Sequence, residues 1–228
     1  MEGIKKLRFI DGTTLKLIAV ITMIFDHVGD SLFPDLTWMR IIGRIAMPIF
    51  AFCIAEGYGH TRDKIKYLKR MLLFAVISEV PFDLFGSGKF PDLSHQNIMF
   101  TFTLAILALM VFEKLTVKGR KSGYVAGWIA IIAFFAVALI LKTDYTFCGV
   151  LLVVIFYLLR KKELLIRDSV ALICYLALRN MGIYIWGFLG FIPIAFYNGE
   201  KGKGLKYLFY VFYPAHLLLI FVIRMLMT

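Results

Sequence analysis

Apolar runs close to twenty residues long follow one another from residue 13 to residue 227, each closed by a short polar or basic stretch. A run of that length spans the roughly 30 Å hydrocarbon core of a bilayer as a helix. With 61% hydrophobic residues and a mean hydropathy of +0.81, a water-soluble globule is excluded, because such domains hold about 45–50% apolar residues. A charged fraction of 18% likewise excludes a disordered chain. The expected fold is all-α, a polytopic integral membrane helix bundle. At roughly 20 residues per span there is room for nine or ten helices and no separate soluble domain, so residues 1–228 read as one unit. The basic, polar start has no small-residue cleavage site after the first apolar run, so that run reads as a retained helix and not as a signal peptide.

Spans are expected at about 13–32, 41–58, 66–85, 97–113, 123–141, 145–160, 165–179, 182–198 and 205–227. The breaks are chemical: Gly29 to Asp35, Gly57 to Gly59, Gly86-Ser87-Gly88 with Pro91, Lys118 to Arg120, Arg160 to Lys162, and the glycine-lysine run 199–204. No internal repeat stands out, which counts against an inverted-repeat transporter. In a soluble protein a net charge of +11 would read as a nucleic-acid footprint. Here the basic residues fall by loop. Nineteen lie in alternate loops, five in the others (among them Arg179), and Lys16 and Arg44 within spans. That asymmetry reads as topology, with no nucleic-acid partner: N-terminus cytoplasmic and, after nine spans, C-terminus outside.

An ionisable side chain inside the bilayer is costly unless paired or hydrated, so each is a functional candidate. The first span carries Lys16, Asp26 and His27. Lys16 and His27 are eleven residues apart, which places them on one helix face roughly 16 Å apart along the axis. A phosphate-bearing donor from the cytosol could anchor near Lys16 while its reactive end reaches His27, and histidine takes protons near neutral pH. The alternative is a snorkelling lysine and a hydrated Asp26-His27 helix end. Arg44 in the second span pairs either with Asp26, as a structural ion pair, or with a ligand anion. Glu56, Gly57, Tyr58 and the basic stretch His60, Arg62 to Arg70 mark either topology or a coenzyme phosphate site. Glu79, Asp83, Asn97, Tyr145, Tyr213 and His216 would gather on the outer side as acceptor-binding or pore-lining groups. His216, just after Pro214, can instead satisfy a carbonyl freed by that proline. Cys53, Cys148 and Cys174 show no CxxC spacing and read as small buried hydrophobes, with no metal site expected.

The order Lys16 to Asp26-His27, Gly43-Arg44 to Pro48, Glu56-Gly57-Tyr58, His60-Thr61-Arg62, Tyr67 to Arg70, Pro81-Phe82 with Asn97, Asp144-Tyr145 with Gly149, Tyr197-Asn198-Gly199 and Tyr213-Pro214-Ala215-His216 resembles the TraX family over nearly the whole chain. Members named TraX are known as F-pilin acetylases that modify the pilin N-terminus. The family also looks like a branch of the transmembrane acyltransferases, which include acyltransferase family 3 and heparan-glucosaminide acetyltransferase. Many of these place a basic residue and a histidine on the first helix with ten residues between them, a pattern Lys16 and His27 follow. Acyltransferase family 3 commonly has arginine where this chain has lysine, which keeps the charge but loses the bidentate phosphate fork.

The resemblance implies a multi-pass protein of the bacterial plasma membrane. It would transfer an acyl group, acetyl above all, from cytosolic acyl-CoA to an amine or hydroxyl on the outer side, a peptide N-terminus or a glycan. The expected roles are His27 as general base with Asp26 supporting it, and Arg44 orienting Asp26 or stabilising the oxyanion. Lys16, Arg62 and Arg70, with Glu56 and His60, are expected to hold the coenzyme. Two rivals remain at this stage, a proton-coupled transporter using Asp26, His27 and Glu79 as a relay, and a non-catalytic scaffold.

Overall fold

Each predicted apolar run finds a helical segment, and the local chemistry sets where these begin. The structure, a computed structural model, describes residues 8–178, 182–203 and 206–227. Lys5, Lys6 and Arg179, which enter the charge argument, lie outside the described residues. The elements are α1 (Gly12–Ser31), α2 (Thr37–Gly43), α3 (Ala46–His60), α4 (Lys64–Gly86), α5 (Ile98–Thr116), α6 (Lys121–Ile140), α7 (Thr146–Leu158) and α8 (Leu164–Leu178). A 3-10 segment (Gly182–Gly190), α9 (Phe191–Ala195) and α10 (Lys206–Met227) follow. Among the described residues the only extended pairings are two isolated bridges, Ile10 with Tyr197 and Gln96 with Thr143. Side-chain oxygens start three of the long helices by accepting from free first-turn amides: Asp11 from Thr14 N at 2.7 Å, Asp63 from Lys66 N at 2.8 Å and Asn97 from Met99 N at 3.0 Å.

Among the described residues five segments are long and apolar enough to cross a membrane: Gly12–Ser31, Thr37–His60, Ile98–Thr116, Lys121–Ile140 and Phe209–Met227. Thr146–Leu158 and Gly182–Ala195 are apolar but shorter. The bundle is apolar on its outside as well as in its core. The Thr37–His60 segment is the most enclosed, with α5 next, whereas α6 turns Val125, Trp128, Ile129, Ile132 and Ile140 outward. An exposed apolar face of that kind suits lipid and is unfavourable in water.

Two expected spans depart from regular helix. The span predicted at 41–58 is broken at Arg44-Ile45 into α2 and α3. Pro48 has no N–H to bond the Arg44 carbonyl, and its ring crowds that carbonyl, so the ladder is interrupted there. The segment predicted at 182–198 is a 3-10 run followed by one short helix. Gly187 and Gly190 sit against Tyr175 and the Ile45 carbonyl with no room for a Cβ, and Pro193 removes another amide. Close packing governs this stretch more than helical propensity.

Polar ties close both ends of the bundle. At one end the N-terminal strand of chain is stitched to the 196–203 loop by Ile10 N to Phe196 O, Asn198 N to Ile10 O and Gly12 N to Glu200 O, all between 2.7 and 3.1 Å. Thr13 Oγ1 adds a bond of 2.7 Å to the Lys203 carbonyl. At the other end Asp83 Oδ2 accepts from Asp92 N at 2.8 Å, and Asp144 N bonds Gln96 O at 2.8 Å.

Candidate functional site

The chemistry concentrates at two levels of the bundle, and α1 connects them, with Lys16 toward the end where Ile10 meets Tyr197 and His27 toward the opposite end. His27 on α1 meets His216 on α10, Nδ1 to Nε2 at 2.7 Å, with the rings stacked at 4.9 Å between centroids. His216 is buried, and its Nδ1 lies 2.9 Å from the Phe212 carbonyl oxygen. A carbonyl only accepts, so His216 Nδ1 carries a proton. In the neutral ring Nε2 is then the acceptor, His27 Nδ1 is the donor, and the lone pair of His27 falls on Nε2. The chain Phe212 carbonyl, His216, His27 thus fixes a tautomer with its basic nitrogen turned away from the pair. Pro214 withholds an amide from the carbonyl of Tyr210, not of Phe212, so His216 does not serve the bond that the proline frees. Tyr213, also buried, packs on His216 at 5.7 Å, and Phe85 on His27 at 5.2 Å.

One residue back along α1, Asp26 points about 100° around the helix from His27 and meets two arginines. Arg44 Nη2 holds both carboxylate oxygens, at 2.5 Å for Oδ2, and Arg40 Nε lies 3.5 Å from Oδ1. Arg40 in turn pairs with Asp30 at 2.5 Å. Arg44 is buried, with Nη1 donating to the Tyr145 hydroxyl at 3.3 Å and the guanidinium lying over the Tyr184 ring at 5.0 Å. Its Nε is buried and has no hydrogen-bond partner. Gly43 makes this approach possible, since a Cβ there would stand 2.6 Å from Asp26 Cα. Tyr145 reaches Arg44 from a turn in which Lys142, Tyr145 and Thr146 all have positive φ, +50°, +59° and +46°. Such backbone costs of order 1–3 kcal/mol per residue and persists where the surroundings enforce it. Thr101 Oγ1 holds the turn by bonding the Asp144 carbonyl.

The remaining residues expected on the outer side hold structure. Asn97 is buried, donates to Ala75 O at 2.8 Å and to the Glu79 carboxylate, and caps α5. Asp83, also buried, anchors the 87–97 loop through Asp92 N. Glu79 is held by Asn97 and Asp26 by the arginines, and neither is directly hydrogen-bonded to His27. In the same loop His95 lies 3.9 Å from the Asp144 carboxylate, which raises its pKa above the ordinary histidine value. The sign follows from linkage: the protonated folded form is favoured, so this contribution is complete below about pH 6.5 and lost as pH rises through the folded pKa. Melting of the purified protein is expected to fall slightly between pH 6 and pH 8, and His95→Gln is expected to flatten that slope.

At the Lys16 end, Arg8, Glu56, Gly59, His60, Arg160, Leu164, Arg167, Tyr197, Asn198 and Gly199 line an open cleft of about 340 Å³. Of the residues expected to hold a coenzyme, Glu56 and His60 line it. Arg62 is exposed, Arg70 packs on Tyr67 at 5.8 Å, and Lys16 stands over Phe209 at 5.6 Å. Beside the cleft, Glu113 on α5 accepts from Tyr58 at 2.7 Å, from Tyr157 and from Lys64. The sequence reading passed over Glu113, although it is the one carboxylate in the apolar run 98–116, and over Arg8, Arg160 and Arg167, whose charge it assigned to topology. Among the described residues no three His, Cys, Asp or Glu side chains gather as a metal site requires.

An all-helical bundle with an apolar exterior and buried histidine and arginine centres defines a polytopic membrane protein. Residues 11–224 match the family described as TraX protein, and the chain belongs to that family. It is 30% identical to a probable fimbrial assembly protein FimC, serogroup H1, of Dichelobacter nodosus, over 90% of this chain and 92% of that one. It is 27% identical to an uncharacterized protein of Rickettsia prowazekii, over 81% of this chain and 68% of the relative. Protein TraX of Escherichia coli is 27% identical over 72% of this chain and 62% of its own length. No solved structure matches the chain.

Proposed function

We propose that this protein is an acyl-CoA-dependent transmembrane acyltransferase, acetyl being the group moved, with His27 as general base. The observation that carries the reading is the hydrogen-bonded pair His27–His216, whose geometry leaves the His27 Nε2 lone pair for an incoming proton. The acceptor amine or hydroxyl loses its proton to Nε2 as its heteroatom attacks the thioester carbonyl. The C–S bond then breaks, the acyl group stays on the acceptor, and the departing thiolate recovers the proton from His27. His216 is a positioning residue, because it holds the His27 tautomer without touching substrate. Arg44 Nε, buried and unpartnered, is a donor suited to the developing oxyanion, and Asp26 holds that guanidinium in place. Among the described residues no Ser or Cys is hydrogen-bonded to His27, which favours direct transfer over an acyl-enzyme.

Membership of the TraX family and likeness to a protein named for fimbrial assembly support a pilin-type acceptor, taken at its N-terminal amine. The proposed setting is the bacterial plasma membrane, with the basic end of the bundle in the cytoplasm supplying acyl-CoA and the acceptor arriving from outside. Acetyl-CoA titrated into the detergent-purified protein tests this reading. Saturable binding is expected, and no binding by a demonstrably folded sample would overturn it.

A further inference from the structure

The cleft at the Lys16 end contains more fixed cationic donors than the fold uses. Arg167 is 3% exposed. Its Nε is committed to Asp168 at 2.7 Å and its guanidinium lies over the Phe52 ring at 4.7 Å, yet Nη2 is buried without a partner. Arg8 Nε, on the same cleft, is likewise buried and unpartnered. The Arg160 guanidinium lies over the Tyr157 ring at 3.7 Å, with Nη1 donating to the Tyr157 carbonyl at 2.8 Å. The charges facing these guanidiniums are the carboxylates of Glu56 and Asp168, so the site is left with an excess of positive charge. A buried donor without an acceptor costs free energy, and arginines braced by aromatic faces are preorganised forks for phosphate oxygens. A space of about 340 Å³ falls in the range of ligand pockets, roughly 300–1,000 Å³.

We propose that Arg8, Arg160 and Arg167 form a binding site for a soluble polyphosphorylated ligand. On the acyltransferase reading, on which this assignment of the ligand rests, that is the nucleotide end of the acyl-CoA. The phosphate anchor then lies in this cleft and not at Arg62 and Arg70. Ten residues of α3 separate Glu56 at the cleft from Ala46, just past the Arg44-Ile45 break, roughly 15 Å of helix rise, so a ligand held here would need an extended arm to bring its reactive end to the His27 level.

The test is calorimetric binding of coenzyme A, and separately of inorganic pyrophosphate, to the full chain in nanodiscs of phosphatidylcholine. Arg8→Gln and Arg160→Gln are expected to weaken both by about 10–100-fold, the loss of a charge-assisted phosphate contact. The exposed Lys118→Gln is expected to change neither. These two arginines are chosen because Arg167→Gln takes away the ion-pair partner of the half-buried Asp168, and folding itself is then at stake. Wild-type binding of coenzyme A that both variants retain would overturn the cleft assignment and leave the acyltransferase reading standing. Pyrophosphate binding that the variants weaken, without any binding of coenzyme A, would keep the phosphate site and remove the acyl-CoA reading. No binding of either probe would overturn the proposal. So would binding abolished when phosphatidylglycerol replaces phosphatidylcholine, because the occupant would then be a lipid headgroup.

Discussion

His27→Ala is expected to lower acyl transfer by about 100- to 10,000-fold, the range that a positioned general base contributes, while leaving coenzyme binding and melting temperature close to wild type. The separation of effects is the point. His27 is only half-buried and its hydrogen-bond partner His216 keeps its own bond to Phe212, so removing the imidazole takes away a base without unlatching a helix. His216→Ala is expected to cost less in rate. The His27 Nδ1–H then loses its acceptor and the tautomer becomes mobile, but the base remains. Initial rates of label transfer from radiolabelled acetyl-CoA, measured for the two variants side by side with binding, check both expectations. Equal rates for His27→Ala and wild type would remove His27 from the chemistry.

Arg44→Ala is expected to have the largest effect on stability. The substitution strands the mostly buried Asp26 carboxylate, leaving it only Arg40 at 3.5 Å. Breaking a buried ion pair by removing one partner typically costs about 3–5 kcal/mol. It also removes the contact that Arg44 makes with the Tyr145 hydroxyl at 3.3 Å. The double variant Asp26→Asn with Arg44→Met is expected to recover much of the lost melting temperature, because no uncompensated charge then remains. Arg44→Lys is expected to recover little, since a single ammonium cannot hold Asp26 and reach the Tyr145 hydroxyl as the two arms of the guanidinium do. Thermal unfolding in detergent, followed by tryptophan fluorescence, reads all three. A single variant as stable as the wild type would mean that the Asp26–Arg44 pair does not hold α1 to the α2–α3 break.

Much of the fold was legible because helix limits in this chain are local events. Asp11, Asp63 and Asn97 are cap residues at the expected edges of apolar runs, and the glycine and lysine clusters fall in the connections. The two misread stretches depend on contacts the sequence does not display. The break at Arg44-Ile45 follows from Pro48 acting four residues upstream, and the 3-10 run follows from Tyr175 and the Ile45 carbonyl pressing on Gly187 and Gly190. The site was legible in part for the same reason. Intramembrane charge alone marked Lys16, Asp26, His27 and Arg44, and the pairing of Asp26 with Arg44 was one of the two readings left open. The partner of His27 was not legible, because His216 is 189 residues away and its identity as partner is set by how α10 packs on α1 and α4. Arg160 and Arg167 were hidden for a different reason. A basic residue at the end of a span serves topology whether or not it also binds an anion, so only its buried, unpartnered nitrogen distinguishes the two.

The central claim is that His27 on α1 moves a proton for acyl transfer from acyl-CoA. It is tested most directly with inverted plasma-membrane vesicles containing the wild-type chain or His27→Ala, supplied with radiolabelled acetyl-CoA on the exposed cytoplasmic face. The account predicts covalent, acid-stable label on membrane-associated acceptor in the wild type and background label in the variant, at equal protein levels. Equal label in the two preparations, or none in either with acetyl-CoA demonstrably bound, would contradict it.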